Sequence, residues 1–150
     1  MQQTLILLKP DAVQHRLVGE VIARFERKGL RLVGLKLVHA GRDLAEKHYA
    51  VHKGKPFYES LVSFITGGPT VAMVWEGREA VTVARNLMGP TDGAKAPPGT
   101  IRGDFAASIQ NNLAHGSDSP DNATAEIALW FKPGELVDWQ PVDQAWVVGA

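Results

Sequence analysis

The chain begins with a hydrophobic run that gives way to a helical period. The run from Thr4 to Leu8 is mostly apolar and is closed by Lys9-Pro10-Asp11, which predicts a buried strand that turns into a helix. From Val18 to Phe25 the apolar residues recur at helical spacing, and Gly29 follows as a stop signal. The pattern therefore predicts a strand followed by an amphipathic helix.

The next segment alternates apolar and polar residues and then returns to a helical period. Residues 30–38 alternate in a way that predicts a second strand, with Leu35 and Leu37 on its covered face. Asp43 and Glu46, three residues apart, match a capping box and predict the start of the helix that follows.

The rest of the chain contains the signals of five more segments. They are a helix with Phe57, Leu61, Phe64 and Ile65 on one face, a strand over residues 70–75, a helix over residues 78–88, a long loop over residues 89–103 and a last strand over residues 126–131. Before that last strand, Ser119-Pro120 predicts a short helix.

Two strand-helix-strand halves favour a ferredoxin-like α+β sandwich, a four-stranded antiparallel sheet covered by helices, in one domain over residues 1–150.

Composition narrows the function classes. Sixteen Lys and Arg balance 16 Asp and Glu in 150 residues, so no excess positive charge indicates a nucleic-acid or acidic-membrane partner. The chain contains no cysteine, which excludes disulfides, a thiolate nucleophile and sulfur-rich metal sites. The first residues show neither a signal peptide nor a membrane span, and we expect a cytoplasmic protein.

The candidate chemistry is concentrated in the segment from Asn112 to Asp118. Here His115 is followed by a glycine, a hydroxyl and a carboxylate, in a place where the backbone turns easily. Near neutral pH an imidazole is largely deprotonated, so one ring nitrogen can attack while a carboxylate on the other fixes the tautomer. This arrangement suits a phosphohistidine intermediate, although an isolated His-Gly-Ser is more often a solvated loop.

Phosphate binding would have to come from side chains, because no glycine-rich phosphate-binding motif occurs. Lys9, Arg85 and Arg102 are candidates, since arginine matches phosphate oxygens with a planar pair of donors. Each of these residues alone is more often a solvated surface charge. The aperiodic loop over residues 89–103 is long enough to be functional.

Taken together, the motifs resemble those of the nucleoside diphosphate kinases over almost the whole chain. The matching segments are Lys9 to Val13, Gly19-Glu20, Arg24 to Glu26, His48 to Ala50, Lys55 to Phe57, Gly68-Pro69, Val71 to Gly77, Pro98 to Asp104 and Asn112 to Ser119.

The resemblance implies roles for individual residues. His115 would be phosphorylated on Nδ1, with Glu126 on the other ring nitrogen and Ser117 supporting that contact. Residues around the phosphates would be Lys9, Tyr49, Arg85, Thr91 and Arg102. Lys9 and Asn112 would also reach the ribose hydroxyls, and Phe57 would lie against the base.

The implied reaction is a ping-pong transfer from a nucleoside triphosphate to a nucleoside diphosphate, with broad base specificity. Mg²⁺ would arrive with the nucleotide as cofactor, and no protein residue is expected to ligate it directly, although Asp118 would touch it through water.

Two segments depart from the usual family pattern. Asp92-Gly93 replaces an Asn-Pro pair, and Gln110-Asn111 replaces Gly-Arg, and these are positions that affect loop stiffness and subunit packing.

Three other classes of function stay open on sequence grounds. A passive histidine phosphocarrier would need His115 but not the nucleotide-binding residues. A metal enzyme could use His48 and His52, although no third ligand is evident. A non-catalytic module would bind nucleotide without turnover. An assay of phosphate exchange between ATP and another diphosphate separates them.

The C-terminal segment is too apolar for a free solvated end. Trp139, Val142 and residues 146–148 would pack either on their own domain or on another subunit. The family resemblance implies a homo-oligomer, and a tail of this length favours a hexamer over a tetramer.

Overall fold

The computed structural model describes residues 1–149. Its strands and helices in chain order are β1 Gln2–Leu8, α1 Pro10–Gln14, α2 Val18–Lys28, β2 Arg31–Val38, α3 Arg42–His48, α4 Tyr58–Thr66, β3 Thr70–Gly77, α5 Ala80–Met88, α6 Ile101–Phe105, β4 Ala114–Gly116, α7 Pro120–Trp130 and α8 Gln144–Val147. Two short 3-10 helices cover Ala50–His52 and Pro133–Glu135.

The four strands form one antiparallel sheet in the order β2-β3-β1-β4. The central strand β1 pairs along its whole length with β3, from Gln2 opposite Gly77 to Leu8 opposite Val71. Its other edge pairs with the three residues of β4, where Leu7 lies opposite His115. This is the ferredoxin-like α+β arrangement that the sequence predicts.

Helices cover both faces of the sheet, and every residue of β1 from Thr4 to Leu8 is therefore buried. Leu5 and Leu7 point to one face and belong to a core that includes residues of α3, α4 and α7. Ile6 and Leu8 point to the other face and pack with residues of α1, α2 and α5. A strand buried on both faces shows a continuous apolar run, as Leu5 to Leu8 do.

The prediction of a last strand over residues 126–131 is wrong. Residues 126–130 form the second half of helix α7, and the fourth strand of the sheet is Ala114–Gly116. Ser119 caps the helix through its hydroxyl, which accepts the Asn122 N–H at 3.1 Å. The helix started by Ser119 and Pro120 continues because Ala123, Ile127 and Trp130 recur at helical spacing and bury one face.

Two smaller predictions also fail. Leu35 and Leu37 are 52% and 67% exposed rather than covered, because a bulge between Leu32 and Gly34 shifts the register of β2 against β3. The predicted capping box is absent from α3, which begins after Gly41 without a side-chain cap. Asp43 lies inside its first turn, and Glu46 pairs with Arg42 at 2.7 Å.

Candidate active site

An open cleft of about 670 Å³ lies over β4, next to α3, α5 and α7. Eight of the ten predicted site residues line it, namely Lys9, Tyr49, Arg85, Thr91, Arg102, Asn112, His115 and Glu126. Of the other two, Ser117 is fully buried next to the cleft, and Phe57 is 46% exposed outside its lining. The fold thus brings together side chains from positions 9 to 126.

His115 is the middle residue of β4, and a carboxylate from α7 holds its ring. Its Nε2 lies 2.9 Å from Glu126 Oε2, and Ser117 Oγ donates to the second oxygen, Oε1, at 2.6 Å. Burial alone would raise the pKa of Glu126, but the hydrogen bonds from His115 and Ser117, with the charge of the ring, lower it below its usual value.

An ionised Glu126 fixes the tautomer of His115. A carboxylate only accepts hydrogen bonds, so the ring nitrogen that faces it, Nε2, carries the proton. The lone pair of the neutral ring is therefore on Nδ1. His115 can act as a nucleophile through that atom.

Arg102 lines the cleft and connects three backbone segments around it. Its guanidinium donates to three backbone carbonyl oxygens, those of Asn112 at 3.1 Å, Gly89 at 2.9 Å and Ala114 at 2.6 Å. Burial, and then the charge of Arg85, lower its pKa to about 10, so it stays cationic near neutral pH. Arg85 is more exposed and donates to the Gly116 carbonyl at 3.1 Å.

Lys9 adds a third positive charge at the end of β1. Its ammonium group donates to Asn112 Oδ1, and the Asn112 amide donates to the Thr91 carbonyl at 3.1 Å. Burial lowers the pKa of Lys9 to about 8, against the opposing effect of Asp11. Lys9, Asn112 and the loop at Thr91 thus form one connected group.

His48 is a site residue that the sequence did not single out as part of the histidine's surroundings. Its ring is perpendicular to that of His115, with centroids 4.6 Å apart, and Trp130 Nε1 donates to its Nδ1 at 3.1 Å. Burial and then the charge of His115 lower the pKa of His48 to about 3, so its ring is neutral near pH 7. No local motif reveals this contact, because it joins α3 to α7 and β4.

Within residues 1–149, the only grouping of three potential metal ligands is His48, His115 and Glu126. The proton positions do not favour metal binding. Nδ1 of His48 accepts from Trp130, so the neutral ring carries its proton on Nε2 and has no free lone pair. His52, the other ligand considered from sequence, lies outside this group.

The aromatic residues form the outer wall. Tyr49 is buried, and this burial raises its pKa to about 12, so its hydroxyl stays protonated as a donor. His52 lines the mouth of the cleft, and its ring centroid is 5.2 Å from that of Phe57. Phe57 therefore meets the cleft at its rim, through His52.

The fold and the cleft first define a class: an α+β protein in which a histidine, held by a carboxylate, lies in a cleft with three cationic side chains. A protein-family model described as nucleoside diphosphate kinase matches residues 2–136. The chain belongs to the nucleoside diphosphate kinase family, and it is a phosphotransferase that acts on nucleotides.

Individual relatives are similar in sequence to this chain over nearly its full length. The chain is 56% identical over 147 residues to a nucleoside diphosphate kinase from Picosynechococcus sp., covering 98% of this chain and 99% of the relative. It is 54% identical over 147 residues to one from Carboxydothermus hydrogenoformans, with 98% and 99% covered.

Solved structures show the same fold. A halophilic nucleoside diphosphate kinase from Halobacterium salinarum, in complex with CDP, has a TM-score of 0.95 at 50% identity, with 97% of each chain covered. A family protein from Babesia bovis has a TM-score of 0.96 at 45% identity, with 98% of this chain and 99% of that one covered.

Proposed function

We propose that the enzyme works by a ping-pong mechanism through phosphorylated His115. The observation that supports this most directly is the 2.9 Å contact between His115 Nε2 and Glu126, which leaves the Nδ1 lone pair free. In the first half-reaction Nδ1 attacks the terminal phosphorus, a P–N bond forms, and the P–O bond breaks with its electron pair going to the departing diphosphate. In the second, an oxygen of the acceptor diphosphate attacks the same phosphorus, a P–O bond forms, and the P–N bond breaks with its electron pair returning to Nδ1 of neutral His115.

The other lining residues would bind the nucleotide. Phosphate oxygens would be held by Lys9, Arg85 and Arg102, with the hydroxyls of Tyr49 and Thr91 as neutral donors. Lys9 and Asn112, which are hydrogen-bonded to each other, would reach the ribose hydroxyls. Phe57 would lie against the base at the rim. Glu126 and Ser117 would keep His115 in its reactive tautomer.

The donor set of the cleft fits a magnesium ion that arrives with the nucleotide. Glu126 is occupied by His115 and Ser117, which leaves Asp118 as the other carboxylate among the lining residues. Mg²⁺ keeps several waters and needs few protein ligands when phosphates supply the rest. When bound, the ion would neutralise phosphate charge, and Asp118 would contact it through water.

Transfer by this mechanism would be catalysed mainly by positioning and by charge. The three cations would stabilise the charge that spreads over the moving phosphoryl oxygens. The relative solved with CDP supports a nucleoside diphosphate as acceptor. Because an aromatic face stacks on any base, we infer broad base specificity.

The direct test is the covalent intermediate. Incubation with Mg²⁺ and ATP labelled on its terminal phosphate should give a protein labelled on His115, with a bond that is labile in acid and stable in base. His115→Ala should abolish labelling and exchange but keep the fold, because the ring lines a cleft. His15→Ala is the matched control and should behave as wild type.

Three outcomes would contradict this mechanism. Exchange activity retained in folded His115→Ala would exclude the covalent intermediate. Label that a nucleoside diphosphate cannot remove would instead favour a phosphocarrier. Nucleotide binding without any exchange would favour a non-catalytic module.

We further infer that residues 1–150 form one domain and that the protein is a cytoplasmic homo-oligomer, a hexamer rather than a tetramer. Both hydrophobic cores lie on faces of the same sheet, which supports a single domain. Val142 and Trp146 are 105% and 91% exposed, which supports contacts between subunits. In the part of the chain that the structure describes, none of the helices is both long and apolar enough to cross a membrane.

A further inference from the structure

Leu113, two residues before His115, has a backbone conformation that residues with a side chain rarely adopt. Its φ is +74°, in the left-handed region, where Cβ approaches the following carbonyl oxygen. Its side chain is only 1% exposed, so the core fixes a leucine where glycine would be less strained. Strain of this kind persists only where surrounding contacts enforce it.

Lys9, which follows β1, and Asp11, in the first turn of α1, supply such contacts. Asp11 Oδ2 accepts the Leu113 N–H at 2.9 Å, and the Lys9 N–H donates to the Leu113 carbonyl at 2.8 Å. Both backbone polar groups of Leu113 are therefore hydrogen-bonded to the segment in which β1 leads into α1. Asp11 itself does not line the cleft.

The carboxylate of Asp11 is held in an unfavourable place. Its Oδ1 is buried and has no hydrogen-bond partner within residues 1–149. Burying a carboxylate oxygen without a partner costs free energy. The positive charges of Lys9 and Arg102 act on Asp11 and offset part of that cost.

We propose that Asp11 is a positioning residue for phosphoryl transfer, whose carboxylate holds Leu113 in the left-handed conformation and thereby directs His115 into the cleft. The proposal rests on the role of His115 proposed above. If Leu113 relaxed to an extended conformation, the chain would enter β4 in a different direction. A misplacement of about 1 Å at a reacting atom can cost about a hundredfold in rate.

The first experiment separates the hydrogen bond from the charge. Asp11→Ala should lower kcat by about tenfold or more, with a smaller change in KM, because the nucleotide-binding side chains stay in place. Asp11→Asn should keep kcat within about threefold of wild type, because its amide oxygen can accept the same N–H. Equal losses in both variants would overturn the proposal in favour of a purely electrostatic role.

A matched control removes a similar bond elsewhere. Glu135 accepts the Lys132 N–H at 2.8 Å, outside the cleft. Glu135→Ala should therefore keep the kcat of wild type. The labelling assay on the wild-type protein distinguishes failure of the two proposals. If ATP does not label His115 in the wild-type protein, the phosphohistidine mechanism is contradicted, whereas the contact between Asp11 and Leu113 is not.

The second experiment tests the strained backbone itself. Leu113→Ala and Leu113→Gly both lose the buried side chain, but only glycine adopts positive φ freely. Adding Asp11→Ala should lower the kcat of Leu113→Ala by about tenfold and that of Leu113→Gly by less than about threefold. Equal losses in the two backgrounds would refute the positioning role. If these core variants do not fold, the comparison of Asp11→Ala with Asp11→Asn decides alone.

Discussion

At the scale of single residues, Arg85 and Arg102 have different structural roles, although the sequence does not distinguish them. Arg85 donates one hydrogen bond to a backbone carbonyl, and its side chain is free to meet a phosphate. Arg102 already supports three carbonyls with its Nε and both terminal nitrogens. A guanidinium has five N–H donors, so Arg102 retains some for a ligand.

We therefore expect Arg85→Ala and Arg102→Ala to lower kcat more than they weaken diphosphate binding, but only the second to lower stability strongly. Removing Arg102 leaves three carbonyls to find new partners, at about 1 kcal/mol or more each. In a chain of this length, about 3 kcal/mol corresponds to a fall in Tm of roughly 6–12 °C. Calorimetry and steady-state kinetics on both variants check this, and equal changes in Tm would contradict it.

Phe57 carries the prediction about base preference. No residue assigned to the base in our proposal reads its hydrogen-bonding edge, so kcat/KM for adenine, guanine, cytosine and uracil diphosphates should differ on the order of tenfold, about 1.4 kcal/mol. Purines should be favoured by their larger stacking area. Phe57→Ala should weaken all four and compress the ranking. A preference of about a thousandfold for one base would require a base-reading group instead.

At the scale of elements, the contact between α3 and α7 couples stability to pH. His48 has a pKa of about 3 in the folded protein, against 6.5 for an unperturbed histidine. Below pH 6.5 the unfolded chain binds a proton that the folded protein does not bind until about pH 3. Stability from this group is therefore present above pH 6.5 and falls as the pH is lowered from there to about 3.

The expected slope is up to about 1.4 kcal/mol per pH unit. Urea unfolding between pH 4 and 7 should show that slope in the difference between wild type and His48→Asn, which cannot titrate. His15→Asn serves as the control for loss of an unrelated histidine. A difference that does not change with pH would contradict a neutral, buried His48.

The loop between α5 and α6 contains Asp92-Gly93, one of the two departures from the family pattern. At the position where proline is usual, Gly93 donates its N–H to the Ser108 carbonyl at 3.3 Å, which proline cannot do. A Cβ on Gly93 would lie 2.5 Å from the Ala106 carbonyl oxygen. Asp92 also accepts the Ala94 N–H at 3.0 Å, so hydrogen bonds replace the stiffness of a proline.

At the scale of the whole molecule, the exposed edge of the sheet supports self-association. The C-terminal segment covers the start of β2, where the Val137 N–H donates to Val33 and Trp139 Nε1 donates to the Leu32 carbonyl. Leu35 and Leu37 stay exposed farther along the same strand. An edge strand with exposed leucines is prone to pair with another chain.

We expect sedimentation to give a mass six times that of the 16.3 kDa chain. Leu35→Lys combined with Leu37→Lys should lower that mass, because charges on an edge strand disfavour pairing. Lys36→Ala, on the same strand, is the control. A wild-type mass of four chains would contradict the hexamer, and an unchanged mass in the double variant would place the contacts elsewhere, with Trp146 as the next candidate.

The sequence by itself determined the fold class, and its resemblance to a known family named eight of the residues that line the cleft. The buried run of β1, the helical periods and the motif around His115 are local signals, because period and capping depend on residues close together in the chain. This is why strands β1, β2 and β3 are found where the pattern predicts them. The ferredoxin-like class was inferred correctly, although its fourth strand was predicted at residues 126–131 and lies at Ala114–Gly116.

Tertiary structure decided the features that depend on distant partners. Residues 126–131 are apolar enough for a strand, but the cap at Ser119 and packing against the sheet make residues 126–130 helical, so the place of the fourth strand goes to the segment of His115. The contact of His48 with Trp130 joins residues 82 positions apart, and the bond from Leu113 to Asp11 joins residues 102 apart. No local pattern encodes such contacts, because they form only when the sheet and its helices bring the segments together.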